Sequence, residues 1–471
     1  MLFHSLEFVV FYLAIFLAYR AIPAPGKKPL LLAGSLWFYA AWDWRFLGLI
    51  LVSSGTDFLC GRRIAGETRP AARKTWLWIS LGMNLGILGF FKYFGFFLES
   101  FRAVFPHIPE PGLAIILPVG ISFFTFQSLS YTIDIYRGQV KPVPALDFFL
   151  FVAFFPQLLA GPIVRAAEFL PQLKRLPPFA REDVREGALL FARGFCKKVF
   201  LANLLARFAD PVFARPESAG ALECLLALYA FAFQIYWDFS GYTDMARGSA
   251  LALGFRFPEN FNLPYLSASL REFWRRWHMT LSSWLRDYLY KSLGGDRHGL
   301  WATLRNLFLT MALGGLWHGA NWTFVVWGCY HGALLAIQRL PPRRDPQERR
   351  DRLGNTSDTW RPVRVLFTFH LVCLGWVFFR AGSVGLALRF LGRLASGPWG
   401  PTPALGAAAA ALFACAAWQA LSEAMRIREA ADPGRPPSRL WHGAQWAAVA
   451  VGVALAFVYS TESAPFIYFQ F

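Results

Sequence analysis

Apolar residues run through this chain in long blocks separated by short basic stretches, and the blocks have the length of membrane spans. They predict crossings near 6–22, 30–42, 45–60, 76–98, 113–134, 187–207, 222–240, 303–319, 321–338, 362–380, 404–424 and 443–460, a crossing helix taking about 20 residues. A further apolar stretch, 148–163, is interrupted by Pro156 and by Gly161-Pro162, the pattern of a re-entrant segment. The pattern is most informative between Arg305 and Arg339. There thirty-three residues, Asn306 to Gln338, hold no Asp, Glu, Lys or Arg, yet they include His318 in the string Leu316-Trp317-His318-Gly319-Ala320-Asn321-Trp322. The run is too long for one span and suits two if the chain breaks near Gly319. Such a break leaves backbone groups and an imidazole at membrane depth, where they are tolerated only against a protein-lined cavity.

The segment from Gly241 to Ala302 is the least like a span and the richest in polar residues. Ser269-Leu270-Arg271-Glu272 matches a capping box and Gly294-Gly295 supplies a stop, which predicts a helix of about 24 residues between them. Trp274, Trp277, His278, Leu281, Leu285 and Tyr288 recur on it at three- and four-residue steps, while Glu272 is placed to pair with Arg275 or Arg276, and Asp287 with Lys291. One aromatic face and one charged face describe a helix lying along the cytoplasmic interface or dipping into the bundle, with His278 looking inward.

Composition agrees with this picture: 56% hydrophobic, 16% charged and a mean hydropathy of +0.37, against roughly one-quarter charged residues in a soluble domain. The expected fold is all-α and polytopic, with roughly 10–13 transmembrane helices. Residues 1–471 read as one integral membrane domain whose motifs concentrate in 113–338. The net charge of +18 lies in short segments beside apolar runs, so it reads as topogenic and not as a nucleic-acid footprint. With the N-terminus outside, loops 23–29, 61–75, 135–186, 241–302, 339–361 and 425–442 fall on the cytoplasmic side, and these are the basic ones. Arg389 and Arg393, in 381–403 on the predicted outer side, are the exception. The first segment has Lys27 and Lys28 after it and no Lys or Arg ahead of it, as expected of a retained anchor.

The six cysteines form no C-x-x-C pair, so neither a disulfide framework nor a metal site is expected. G-x-S-x-G, H-E-x-x-H and G-x-x-x-x-G-K-[ST] are all missing, which weighs against hydrolase, zinc protease and P-loop readings. What remains is a pair of histidines, His278 and His318, with Ser282, Asp287 and Asn321 as polar neighbours in sequence. Burial disfavours the imidazolium, so a histidine in an apolar site stays neutral near pH 7 and can accept a proton. That suits acyl transfer from a thioester to an alcohol, which needs the hydroxyl proton removed as it attacks and a donor toward the developing oxyanion. His331 and His370, on otherwise apolar helices, are expected to be structural, and Asp238 and Asp244 to cap and pack a helix end. A transporter is the rival class, with buried histidines and broken helices forming a substrate and proton path. No inverted repeat is visible to support it.

Several ordered blocks resemble the membrane-bound O-acyltransferases, in particular the branch that O-acetylates alginate and other exopolysaccharides. They are Leu117-Pro118-Val119-Gly120-Ile121-Ser122-Phe123-Phe124-Thr125-Phe126-Gln127, Phe155-Pro156-Gln157 with Gly161-Pro162-Ile163, and Asp238-Phe239-Ser240-Gly241-Tyr242. Then come Glu259-Asn260-Phe261-Asn262 with Pro264-Tyr265, Phe273-Trp274-Arg275-Arg276-Trp277-His278 with Trp284-Leu285-Arg286-Asp287-Tyr288, Gly315-Leu316-Trp317-His318-Gly319-Ala320, and Pro465 to Phe471. The resemblance implies helices around a central funnel in the inner membrane, His318 as the membrane-embedded catalytic histidine and His278 as the second histidine of the funnel. Asn321, Arg286, Asp287, Trp317 and Ser282 are expected to contact substrate. It also implies acetyl-CoA as the acyl donor, no permanently bound cofactor, a periplasmic acetyltransferase partner and a polysaccharide acceptor. The basic residues Arg271, Arg275, Arg276, Arg286 and Lys291 would attract the donor's phosphates. D-alanyl transfer from a carrier protein to teichoic acid is the alternative within the same chemistry.

Overall fold

The computed structural model describes residues 1–400 apart from 110–111, 114, 160 and 341–358, and beyond 400 only short pieces between 406 and 454. The spans expected at 404–424 and 443–460, the C-terminal block and most of the basic loop 339–361 lie largely outside the described residues. The structure is all-α, with no strand among the described residues. Among the described residues, three helical stretches are long and apolar enough to cross a membrane by themselves: Pro70–Val104, Ala221–Ala252 and Arg361–Arg380.

The chain divides into two units, one formed by Met1–Phe195 with Gly241–Pro258, the other by Cys196–Ser240 with Glu259–Phe471. In the first, the helices are α1 (Leu6–Ala21), α2 (Ala24–Ala40), α3 (Arg45–Gly66), α4 (Pro70–Leu88), α5 (Phe94–Val104), α6 (Ile121–Tyr136), α7 (Ala145–Ala153), α8 (Phe155–Leu158), α9 (Ala166–Lys174) and α10 (Arg181–Phe195). Helices α3, α4 and α6 meet around the buried carboxylate of Asp57, which accepts from Ser80 at 2.5 Å, from Asn84 at 2.9 Å and from Ser128. A carboxylate at such depth persists only when every lone pair is matched, and the hydroxyls and amide do that. The 148–163 stretch is broken as expected: α7 stops at Ala153, α8 starts at Phe155, and the freed Phe155 N–H donates to Ser35 Oγ at 3.1 Å.

Helix α12 (Ala221–Ala252) is twelve residues longer at its C-terminal end than the span expected at 222–240. Gly241, read as its end, lies inside it. The reason is packing: a Cβ on Gly194 of α10 would sit 2.4 Å from Gly241 O, and one on Gly187 would sit 2.7 Å from Gly248 O, so glycines bring α10 onto the α12 backbone. That close approach outweighs the roughly 1 kcal/mol a helical glycine costs.

Asp238 is correspondingly not a helix-end cap, since it lies within α12 and forms an ion pair with Lys198, both side chains almost fully buried. Asp244 is likewise inside the helix, 3.5 Å from Arg247.

The second unit adds α11 (Asn203–Ala214), α13 (Leu270–Arg276), α14 (Met279–Trp284), α15 (Gly299–His318), α16 (Trp322–Arg339), α17 (Arg361–Arg380) and α18 (Val384–Ser396). The exceptional arginines of 381–403 are on α18, where Arg393 donates to the carbonyl of Ala219 at 2.6 and 3.0 Å and Arg389 approaches Glu217 at 4.0 Å. Both arginines thus have partners within this unit.

Candidate active site

The apolar run 306–338 folds as two helices, as its length requires. Helix α15 ends at His318, Gly319 and Ala320 turn the chain, and α16 begins at Trp322. The turn is closed by Asn321, whose Oδ1 accepts from Thr323 N at 3.0 Å and whose Nδ2 donates to Gly382 O at 3.1 Å. The two helices touch backbone to backbone: a Cβ on Gly315 would lie 2.3 Å from Phe324 O and 2.9 Å from Gly328 Cα. Small residues give the hairpin its closeness, and the closeness fixes His318 at its tip.

Around His318 stand the rings of Trp317 (5.1 Å between centroids), Trp327 (5.1 Å) and Phe379 (5.4 Å), all buried. His278 is 6.5 Å from it, ring to ring, and fully buried. The two histidines expected to meet do so, though they arrive differently from the expectation.

The helix of about 24 residues from Ser269 to Gly294 is in fact broken. Ser269 caps it as foreseen, accepting from Glu272 N at 3.1 Å, while Glu272 Oε2 accepts from Ala268 N at 2.8 Å. It stops at Arg276, restarts at Met279, and continues as a π-helix from Leu285 to Tyr290. Gly294 and Gly295, both at positive φ, lie in the turn beyond.

His278 sits at the break in the left-handed region, φ 41° and ψ 54°, a conformation that costs a non-glycine residue about 1–3 kcal/mol. What holds it there is tertiary. Asn260 O accepts from Met279 N at 2.9 Å, and Asn262 N donates to Arg276 O at 2.9 Å. The loop Glu259-Asn260-Phe261-Asn262 thus lies along the break. Helix periodicity carries no trace of this, because the partner loop is distant in sequence.

From His318 a cavity of about 480 Å³ runs along one face of α15, past Gly314, Met311, Thr310, Leu307 and Thr303. At 1.5 Å per residue that face spans roughly 22 Å. Its walls carry Arg271, Arg275, Arg286 and Arg339 against one acid, Asp296, together with Trp274, Ser282 and Trp327. The cavity is therefore apolar near His318 and electropositive elsewhere.

Of the residues expected to contact substrate, Ser282 and Arg286 line the cavity, with Ser282 Oγ donating to Trp277 O at 3.1 Å. Asp287 is engaged by Arg286 at 2.9 Å and Lys291 at 2.7 Å, and Arg276 by Glu272 at 2.9 Å, so these charges are largely matched locally. Arg275 and Arg339 make no salt bridge among the described residues. Trp317 stands edge-on to His318, and Asn321 is an N-cap whose amide is used at both ends. The sequence gives Asn260, Trp327 and Phe379 no role in the site, and Arg339 only one in the topogenic loop 339–361. His331 is buried among Phe273, Trp274, Trp327 and Tyr330, and His370 Nε2 lies 2.6 Å from the Tyr229 hydroxyl, in keeping with structural roles.

Comparison with known proteins shows the family. The model of the membrane-bound O-acyltransferase family matches residues 117–374, which hold both histidines and the cavity. A protein of Azotobacter vinelandii named "Probable alginate O-acetylase AlgI" is 44% identical over 406 residues, covering 85% of this chain and 79% of that protein. The "Peptidoglycan O-acetyltransferase" of Helicobacter pylori is 37% identical over 426 residues, covering 83% and 79%. The "Teichoic acid D-alanyltransferase" of Bacillus subtilis is 28% identical over 292 residues, covering 58% and 71%. Buried paired histidines, a cavity that reaches His318 and a family match over more than half the chain lead to one conclusion: this chain belongs to the membrane-bound O-acyltransferase family and is a multi-pass membrane O-acyltransferase.

Proposed function

We propose that this enzyme takes an acetyl group from acetyl-CoA on the cytoplasmic side of the inner membrane and passes it across for O-acetylation of a polysaccharide outside, such as alginate. The observation that carries the reading is the placement of His318 and His278, 6.5 Å apart, beside an arginine-lined cavity along α15. The donor's phosphates would lie against Arg271, Arg275 and Arg339, and its thioester would reach toward His318. There His318 takes the proton of the attacking hydroxyl, the new C–O bond forms as the C–S bond breaks, and the proton returns to the departing thiolate. Trp317, Trp327 and Phe379 exclude water, which would otherwise hydrolyse the thioester. The acceptor at the far side is a periplasmic acetyltransferase partner or the sugar hydroxyl itself, with the N-terminus outside as the loop charges indicate. The greater coverage and identity of the polysaccharide O-acetylating relatives favour acetyl over D-alanyl as the cargo.

The test is transfer of labelled acetyl from acetyl-CoA in liposomes holding the wild type or His318→Ala, with a polysaccharide acceptor on the opposite side. Ester-linked label only with the wild type is expected. Equal label with both proteins would remove His318 from the chemistry, and movement of unmodified cargo would point to transport.

A further inference from the structure

The second histidine has its protonation pattern written into its hydrogen bonds. The Oδ1 atom of Asn260 lies 3.0 Å from His278 Nδ1, 3.3 Å from Thr280 N and 2.9 Å from Thr280 Oγ1. A backbone N–H only donates, so the Asn260 atom facing Thr280 N is the amide oxygen, and the amide orientation is settled. An amide oxygen has no hydrogen to give. His278 Nδ1 must therefore carry the proton of this contact, and in the neutral ring Nε2 is then a bare lone pair. His278 is fully buried, its Nε2 has no hydrogen-bond partner among the described residues, and its ring stands edge-on to Phe239 at 4.7 Å. Asn260, itself 1% exposed, also accepts Met279 N at its backbone oxygen, so one residue fixes the ring, its tautomer and the left-handed break that presents it.

We propose that Asn260 is a positioning residue that locks His278 as the Nδ1–H tautomer, so that the ring offers Nε2 as a hydrogen-bond acceptor to an O–H or S–H group of the substrates. The inference rests on the acyl-transfer site described above and sharpens it. A ring in this form cannot donate from Nε2, so it does not polarise the acyl carbonyl. Its part is to orient the hydroxyl or thiol, and the donor toward the oxyanion comes from elsewhere in the site. Protonation of Nε2 ends the acceptor role, so transfer falls where His278 becomes a cation.

Two readouts test this on the full-length protein in lipid nanodiscs. In protein labelled with 15N-histidine, nitrogen spectra separate protonated from bare ring nitrogens, and His278 is identified as the signal missing in His278→Gln. The expected pattern at neutral pH is a protonated Nδ1 and a bare Nε2, becoming a tautomer mixture in Asn260→Leu. A protonated Nε2 in the wild type would overturn the proposal and leave acyl transfer itself standing.

The second readout is the pH profile of acetyl transfer. Asn260→Asp keeps the acceptor and adds a charge that favours the imidazolium, so the acid limb moves to higher pH by about one unit or more, with KM for acetyl-CoA unchanged. Asn260→Leu loses rate at every pH. An Asn260→Asp profile superimposable on the wild type would also overturn the assignment, because a merely structural asparagine would leave the limb in place. Absence of transfer with the wild type would instead sink the proposed function, with the tautomer result untouched.

Discussion

The hairpin that carries His318 offers the sharpest test, through Gly315→Ala. The added methyl would lie 2.3 Å from Phe324 O, 2.9 Å from Gly328 Cα and 3.0 Å from Gly328 N, all backbone atoms of α16. Ordinary contact begins near 3.4 Å, so the helices must part by about 1 Å. No flexible side chain can swing aside to relieve it. Overpacking of this kind costs about 1–3 kcal/mol, and a displacement of roughly 1 Å at a reacting group can cost on the order of 10²-fold in rate. His318 is three residues from the substitution and moves with it. The expected outcome is a fall of on the order of 10²-fold in kcat for acetyl transfer in liposomes, with the protein still inserted and a melting temperature lowered by a few degrees. Gly82→Ala is the control, since nothing lies within 4 Å of its added Cβ, and it should leave transfer unchanged. Wild-type turnover in Gly315→Ala would refute the claim that α15–α16 closeness positions His318.

Three further outcomes follow from the same geometry. Asp238→Asn leaves Lys198 buried without its carboxylate and should cost about 3–5 kcal/mol of stability, while Lys198→Met with Asp238→Leu should recover most of it; thermal unfolding in detergent compares them, and a destabilised double variant would contradict the pair's role. Asn321→Ala removes an N-cap and should cost about 1 kcal/mol with most of the transfer rate kept; loss of transfer at unchanged stability would instead make Asn321 a substrate contact. If acetyl-CoA is the donor as proposed, Arg275→Gln removes a cavity-lining cation and should raise KM for acetyl-CoA roughly fivefold, about 1 kcal/mol, with kcat unchanged and a weaker dependence on salt; an unaltered KM would remove Arg275 from the proposed donor site.

Much of this was legible from residues alone because it depends on local chemistry. The uncharged run from Asn306 to Gln338 had to become two helices, since hydrocarbon admits only so many residues per crossing. Gly319 marked where the chain would turn, and Ser269 with Glu272 marked a helix start through backbone donors a few residues away. His318 stood out because an imidazole in an apolar run needs a reason. The ordered motif blocks then carried the family.

Other features were decided only in three dimensions. Periodicity drew an unbroken helix through Trp277 and His278, because side-chain spacing records which face is apolar and not whether the backbone stays helical. The break exists because Asn260, eighteen residues earlier, accepts His278 Nδ1 and the N–H groups of Met279 and Thr280, which offsets the strain of the left-handed turn. Asp238 looked like a helix end for the same reason: the apolar run closes near 240, yet α12 continues to Ala252, with Gly187 and Gly194 of α10 packed against its backbone. The membrane dictated span lengths, loop charges and one suspicious histidine through rules that act within a few residues. The cavity, the second histidine's tautomer and the buried Lys198–Asp238 pair depend on contacts between distant segments, which no local pattern encodes.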